Sequence, residues 1–163
     1  MFVPYTHESI RLTGRWDTAP DCATATATGS YIEFCFEGRL AVARFDIDAN
    51  MLPLLHLWVQ IDGGDKVEAS IDRYMRIQTA KPGTHICRII YKGGTEQSDR
   101  WYHPLHGKVS FLGVQTERPV PIPADERPIV EFVGDSITEG VLIDVDYHEG
   151  THHYSDLDQL NRP

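Results

Sequence analysis

The chain has 163 residues, of which 41% are apolar and 24% are charged, and it carries a formal net charge of −9. This size suits one domain with a hydrophobic core, and the composition argues against an intrinsically disordered chain. The negative charge argues against nucleic-acid or anionic-membrane partners, which require a basic surface. No segment reaches the ~18 apolar residues that a membrane span requires.

The N-terminal sequence and the cysteines both predict a cytoplasmic protein. Residues 1–16 contain neither the basic region nor the apolar region of a signal peptide. The three cysteines, Cys22, Cys35 and Cys87, are odd in number and widely spaced. This spacing favours buried free thiols in a reducing compartment, and the absence of a CxxC pair excludes a zinc site of that kind.

Alternation of apolar and polar residues predicts β-strands from about residue 9 to residue 118. Turn signals interrupt the alternation at Glu37-Gly38, at Asp62-Gly63 and at Lys81-Pro82-Gly83. The predicted strands are 31–36, 40–47, 55–61, 67–71, 74–79, 85–91 and 109–114. Short strands at this spacing, with almost no helical period, predict an all-β sandwich, and we expect a jelly roll.

A proline-rich stretch then divides the chain. Residues 118–128 contain four prolines in eleven residues, which favours an extended, semi-rigid connector. We therefore place the sandwich at 1–118, a linker at 119–128 and the start of a second domain at 129–163. The second domain opens with Ile129–Val133, a short apolar run suited to a buried parallel strand.

Directly after this run comes Gly134-Asp135-Ser136, followed by Ile137-Thr138-Glu139-Gly140. A serine hydroxyl is a weak nucleophile and must stand exposed where a base can reach it, and a sharp turn after a strand provides that exposure. Gly134 lets the backbone turn closely, and a helix beginning after Ser136 would point free N–H groups at a developing oxyanion. The plain alternative is an ordinary turn, because Gly, Asp and Ser are turn residues.

The motif and its surroundings resemble a known family. Residues 129–140 are similar to the first conserved block of the SGNH (GDSL) serine hydrolases. The upstream sandwich resembles the N-terminal domain of carbohydrate esterase family two at Thr13-Gly14-Arg15-Trp16-Asp17, Ile61-Asp62-Gly63, Gly83-Thr84-His85 and Phe111-Leu112-Gly113. The resemblance implies an acetyl esterase acting on acetylated carbohydrate or another small ester, without a cofactor. It implies that Ser136 is the nucleophile and that its backbone N–H is one oxyanion donor.

The remaining blocks of that family are not found in this sequence. A second glycine block, a Gly-x-Asn-Asp block and an Asp-x-x-His block that supplies the base should follow, yet only residues 141–163 come after Gly140. We therefore expect this part of the chain, an incomplete α/β domain, to be inactive alone. Two further hypotheses stay open: a stand-alone carbohydrate-binding or interaction sandwich, and self-association through residues 129–163.

A competing metal signal lies near the end of the chain. His148-Glu149-Gly150-Thr151-His152 fits the H-E-x-x-H pattern of zinc proteases, which needs both histidines on one helical face. Gly and Thr are poor helix formers, and no histidine after His153 could serve as a third ligand. We expect no zinc catalysis there, although the histidines could take up metal adventitiously.

Two residues outside the motif are candidates for sugar binding. Trp101 lies outside the predicted strands, where an exposed ring could stack on a sugar. His103 lies in the loop after it. Trp58, by contrast, falls inside an apolar strand, and we expect it in the core.

Overall fold

The computed structural model describes residues 1–52, 54–93, 99 and 102–135, and these residues form nine β-strands and no helix. Within this part of the chain no helix is therefore long and apolar enough to cross a membrane. The strands β1 to β9 are Phe2–Pro4, Ile10–Thr13, Asp17–Thr18, Ala23–Ala25, Tyr31–Asp46, His56–Ile61, Val67–Ser70, Tyr74–Gly93 and Val109–Pro119.

Two long strands, β5 and β8, connect the whole fold, and every strand pair is antiparallel. The hydrogen-bonded order is β3-β4-β9-β5-β8-β6-β7, with β1 added to β9 and β2 added to β5. β5 pairs with β2 through residues 31–34 and with β9 through residues 36–46, so its two halves have different neighbours. One group of strands consists of β2, β6 and β7 together with the adjoining halves of β5 and β8. We call this group the front sheet. The predicted all-β sandwich is confirmed.

The predicted turns at Glu37-Gly38 and Lys81-Pro82-Gly83 are wrong, because β5 and β8 run through them. The two places lie side by side, since Gly38 pairs directly with Gly83 and the register shifts just beyond that pair. Gly38 has a φ of 130°, and a Cβ there would stand 2.9 Å from the Glu117 carboxylate. Gly38 therefore permits an irregularity in the pairing at the place where the neighbours of β5 change, and such an irregularity and a turn use the same residue type.

The core is built by alternation along the strands. Ile32, Phe34 and Phe36 of β5 all point inward and are at most 1% exposed. Phe45 and Phe111 pack with their ring centroids 5.5 Å apart, which joins β5 to β9. A core of this kind stabilises the sandwich through burial of apolar surface.

Trp58 is not part of this core, contrary to the prediction. Its neighbour Leu57 is fully buried in the core cluster, and successive side chains of a strand point to opposite faces. Trp58 therefore lies half-buried on the outer face of the front sheet. The ammonium of Lys92 lies 5.2 Å from its ring centroid.

The cysteines are free thiols, as predicted. Cys35 and Cys87 are buried, and Cys22 is half-buried. Burial raises the pKa of both the Cys35 and the Cys87 thiols. Both therefore stay protonated at neutral pH and are unsuited to act as nucleophiles.

The apolar run Ile129–Val133 does not form the predicted strand in the described structure. Its side chains are exposed on both faces, with Phe132 at 81% and Val133 at 82%. A strand requires a hydrogen-bonding neighbour, and none of the described residues pairs with this run. Apolar side chains on both faces are typical of a strand that is covered on both sides of its sheet.

Candidate functional site

The predicted nucleophile turn begins at the last described residues. Gly134 and Asp135 are exposed, whereas Ser136 lies outside the described residues. The role of Ser136 therefore stays a prediction. The structure does define the path of the chain that leads to it, residues 120–135.

Two backbone hydrogen bonds attach the start of this path to the sandwich. The Val120 amide donates to the Cys35 carbonyl at 3.1 Å, and the Ile122 amide donates to the Glu8 carbonyl at 3.1 Å. The first bond continues the pairing of β9 with β5, because it follows directly on the last residue of β9. The proline-rich linker is thus bound to the sandwich along its first half.

Two arginines on or just after β2 contact the rest of the path. Arg11 donates from Nη1 to the Pro123 carbonyl at 2.7 Å. Arg15 donates to both carboxylate oxygens of Glu131, at 2.5 and 3.2 Å, and this contact lowers the pKa of Glu131. Contacts from the sandwich therefore extend almost to the predicted nucleophile turn.

A row of charges crosses the outer face of the front sheet. Arg11, Glu33 and Arg88 stand directly opposite one another on β2, β5 and β8. Arg11 donates to Oε2 of Glu33 at 2.9 and 2.6 Å, and Arg88 donates to Oε1 at 2.9 and 2.6 Å. The Glu33 side chain is only 4% exposed, so each oxygen of a buried carboxylate has its own guanidinium. We call these three residues the charge ladder.

Between the charge ladder and the linker lies an open cleft of about 490 Å³. Its sandwich side includes the ladder and Asp62, and its linker side includes Ala124, Asp125 and Arg127. Arg127 donates to the two oxygens of Asp125 at 2.8 and 2.6 Å, which lowers the pKa of that carboxyl. Three guanidiniums and three carboxylates therefore line the cleft, and its formal charge is balanced.

A second charged group lies on the same outer face. Lys92 donates to Oε1 of Glu68 at 2.9 Å, and Nδ1 of His56 lies 2.6 Å from the same oxygen. Burial works against the charged carboxylate, but the contacts with His56 and Lys92 outweigh it and lower the pKa of Glu68. The Lys92 side chain is 4% exposed, so this pairing stabilises a charge that would otherwise be costly to bury.

Asp62 joins two segments that carry the family resemblance in the sequence. Its carboxylate lies 2.7 Å from Nδ1 of His85 and accepts a hydrogen bond from the Ile86 amide at 2.9 Å. Nε2 of His85 lies 3.0 Å from the Lys81 carbonyl. Both ring nitrogens face acceptors, so the contact with Asp62 favours the imidazolium and raises the pKa of His85.

The predicted sugar-binding residues are not brought to this cleft. Trp101 lies outside the described residues. His103 is exposed, and its neighbour Tyr102 is 75% exposed. Of the described residues that line the cleft, none belongs to the loop that carries His103, and the binding role of this histidine stays a prediction.

The possible zinc pattern at His148–His152 lies outside the described residues as well. Among those that are described, no group of three or more His, Cys, Asp or Glu side chains could hold a metal ion. On the outer face of the front sheet, the described carboxylates of Glu33, Glu68 and Asp62 are instead paired with arginine, lysine or histidine.

Sequence reasoning missed the charge ladder and the cleft. The one available signal is Glu33, a charge between Ile32 and Phe34 in an otherwise apolar run. Alternation identifies such a residue as outward-facing, but it does not show which residues of other strands stand opposite. The ladder depends on that register.

No protein-family model and no curated protein matches this sequence. Solved structures do match. A family two carbohydrate esterase from Cellvibrio japonicus has a TM-score of 0.68 at 19% identity, covering 95% of this chain and 45% of that chain. A family two carbohydrate esterase from Clostridium thermocellum, in complex with cellohexaose, has a TM-score of 0.62 at 22% identity, covering 82% and 39%.

An acetyl xylan esterase from the rumen bacterium Butyrivibrio proteoclasticus matches as well, with a TM-score of 0.58 at 20% identity, covering 90% of this chain and 41% of that chain. At such identities these likenesses show a common fold. The predicted resemblance to carbohydrate esterase family two is confirmed at that level. This chain spans less than half the length of each of the three structures.

Proposed function

We propose that this chain is part of a serine esterase that removes acetyl groups from carbohydrate, with Ser136 as its nucleophile. The observation that carries the proposal is an order along the chain. A sandwich with the fold found in family two carbohydrate esterases is followed by a linker bound to it, then by an apolar run, then by Gly134-Asp135-Ser136-Ile137-Thr138. A turn of this composition alone would not support the proposal.

The reaction follows from the chemistry of serine nucleophiles. The Ser136 hydroxyl oxygen attacks the acetyl carbonyl carbon and loses its proton to a base. The carbon–oxygen bond to the sugar then breaks, and the sugar oxygen takes the proton. Water then attacks the acetyl carbon of the acyl-enzyme and loses a proton to the base. The bond from that carbon to the Ser136 oxygen breaks, the oxygen takes the proton back, and acetic acid leaves and ionises to acetate. The backbone N–H of Ser136 donates to the oxyanion, and Gly134 leaves room for the turn.

Residues 1–163 do not supply the base in the form that the family uses, because no Asp-x-x-His pattern occurs among them. The 163 residues alone should therefore hydrolyse esters no faster than the background. The sandwich contributes by binding the segment that leads to the nucleophile, through the Arg11 bond to the Pro123 carbonyl and the backbone bonds of Val120 and Ile122.

The test uses the complete gene product, including any sequence beyond Pro163. On acetylated xylan, Ser136→Ala should lower kcat by at least about a thousandfold, the loss expected for a covalent nucleophile. Ser70→Ala is the matched control, because Ser70 is an exposed serine at the end of β7, and it should leave the rate unchanged. A rate that survives Ser136→Ala would rule the proposal out.

A second candidate function is saccharide binding by the sandwich itself. The observation that favours it is that the sandwich has its own core and carries a charge-balanced cleft on its outer face. Such a module would fold and bind without any catalytic group. The residues that line the cleft would determine which ligands such a module binds.

A further inference from the structure

We infer that the cleft between the charge ladder and the linker binds a neutral saccharide through its hydroxyl groups. This site is separate from the Ser136 turn and does not depend on catalysis there. It is formed jointly by the outer face of the front sheet and by residues 123–127 of the linker.

The hydrogen-bonding capacity left in the cleft is mixed. Arg88 uses Nε and Nη2 on Glu33, and Arg127 uses Nε and Nη2 on Asp125. Among the described residues neither Nη1 has a hydrogen-bond partner, so each arginine keeps a donor for a ligand. The carboxylates of Asp62 and Asp125 each have further lone pairs that can accept. Donors and acceptors thus stand on both walls.

The charge of the cleft selects against ions. Its three guanidiniums are offset by three carboxylates, and the chain as a whole carries a formal charge of −9. An anion would gain no net attraction, and a cation would have to displace Arg11, Arg88 or Arg127 from its carboxylate. A hydroxyl group donates and accepts at once, so a polyol pairs with both kinds of group and adds no charge to bury.

The shape and the remaining wall residues fit a sugar ring. Ile86, Pro123 and Ala124 add aliphatic surface beside the charged groups, against which the C–H face of a pyranose can pack. The volume of about 490 Å³ lies within the range of small-molecule sites. Because the cleft is open to solvent, it can admit one or two rings of a longer chain.

The linker wall gives the site a second property. Asp125 and Arg127 follow Pro123, whose carbonyl accepts a hydrogen bond from Arg11, and the Asp125 carboxylate lies 3.8 Å from the same guanidinium. A saccharide that contacts both walls must therefore favour the bound position of the linker.

The experiment is an NMR titration of the 163-residue chain with cellohexaose, xylohexaose and mannohexaose in turn. We expect at least one of them to shift the Gly63 and Ala124 amide signals with a dissociation constant of about 1 mM, as befits a few hydrogen bonds in an open site. Arg127→Ala should weaken binding about tenfold, the effect of losing one charge-assisted hydrogen bond. Arg118→Ala is the matched control. Its side chain is equally exposed, at 69%, and it pairs with Glu37 outside the cleft.

Several outcomes would overturn the inference. They are the absence of any shift at Gly63 and Ala124 up to about 10 mM of each saccharide, equal losses in Arg127→Ala and Arg118→Ala, or tighter binding of inorganic phosphate than of every saccharide. Loss of binding in Ser136→Ala would place the sugar at the nucleophile turn instead. An esterase rate that survives Ser136→Ala would rule out the proposed catalytic function but not saccharide binding in the cleft, because the titration needs no catalysis.

Discussion

The runs Tyr31–Phe36 and Ile129–Val133 are two apolar segments of one chain with opposite surroundings. In the first, Phe34 is 1% exposed and hydrogen-bonded neighbours lie on both sides. In the second, Phe132 is 81% exposed and no described strand pairs with it. Apolar composition therefore does not make a strand by itself, since the backbone groups need partners and the side chains need an opposing layer.

The same contrast holds for charge. Glu33 and Glu131 are both held by arginines, but the Glu33 side chain is 4% exposed and the Glu131 side chain is 52% exposed. Two guanidiniums satisfy the buried carboxylate, whereas one serves the exposed carboxylate. A charge that leaves water needs complete pairing, and an exposed charge is already solvated.

The largest expected effect is a difference in stability between variants of Phe34 and of Phe132. Phe34→Ala should lower the free energy of unfolding by about 3–5 kcal/mol, because it leaves a cavity in the core. Phe132→Ala should change it by less than about 0.5 kcal/mol. Urea unfolding of both variants measures this. A comparable loss for Phe132→Ala would mean that the second run packs against something in solution.

The second effect in size is a difference in stability between variants of Glu33 and of Glu131. Glu33→Gln should lower the free energy of unfolding by about 2–3 kcal/mol, because it leaves Arg88 partly buried without a counter-charge and leaves Arg11 with only the more distant carboxylate of Asp125. Glu131→Gln should have no measurable effect, since its ion pair is exposed and screened by solvent. The measurement is again urea unfolding at neutral pH. Equal effects of the two substitutions would show that the charge ladder is not buried in solution.

The smallest effect is a pH dependence at His85. Its pKa is raised in the folded state by Asp62, so its contribution to stability is fully present below the unfolded pKa of about 6.5. That contribution is lost as the pH rises through the folded pKa. Unfolding measured from about pH 5 to pH 9 should show this decline, and Asp62→Asn should flatten it. His103→Asn serves as the control, and an unchanged decline in Asp62→Asn would contradict the assignment.

Local patterns were sufficient to predict much of the fold. Alternation located the strands around Tyr31–Phe36 and Val109–Val114, and the turn at Asp62-Gly63 joins β6 to β7 as predicted. The same reasoning was wrong at Gly38, where a register shift within a long strand has the glycine that a turn would have. Glycine permits both, and only the neighbouring strand determines which forms.

The candidate site was predictable only in part. Gly134-Asp135-Ser136 is contiguous in sequence, so its meaning as a nucleophile turn can be proposed without a structure. The cleft is assembled from β2, β5, β8 and the linker, which are far apart along the chain. No local pattern links Glu33 to Arg88 or Arg11 to Pro123.

The sequence by itself thus determined the main strand-forming segments and the motif that carries the proposed chemistry, because each depends on residues a few positions apart. Only the tertiary structure decided that Trp58 faces outward, that Glu33 lies between two arginines, and that the linker is bound to the sandwich. These features depend on the register between strands. That register is set by the packing of the whole core, and the composition of any one strand does not specify it.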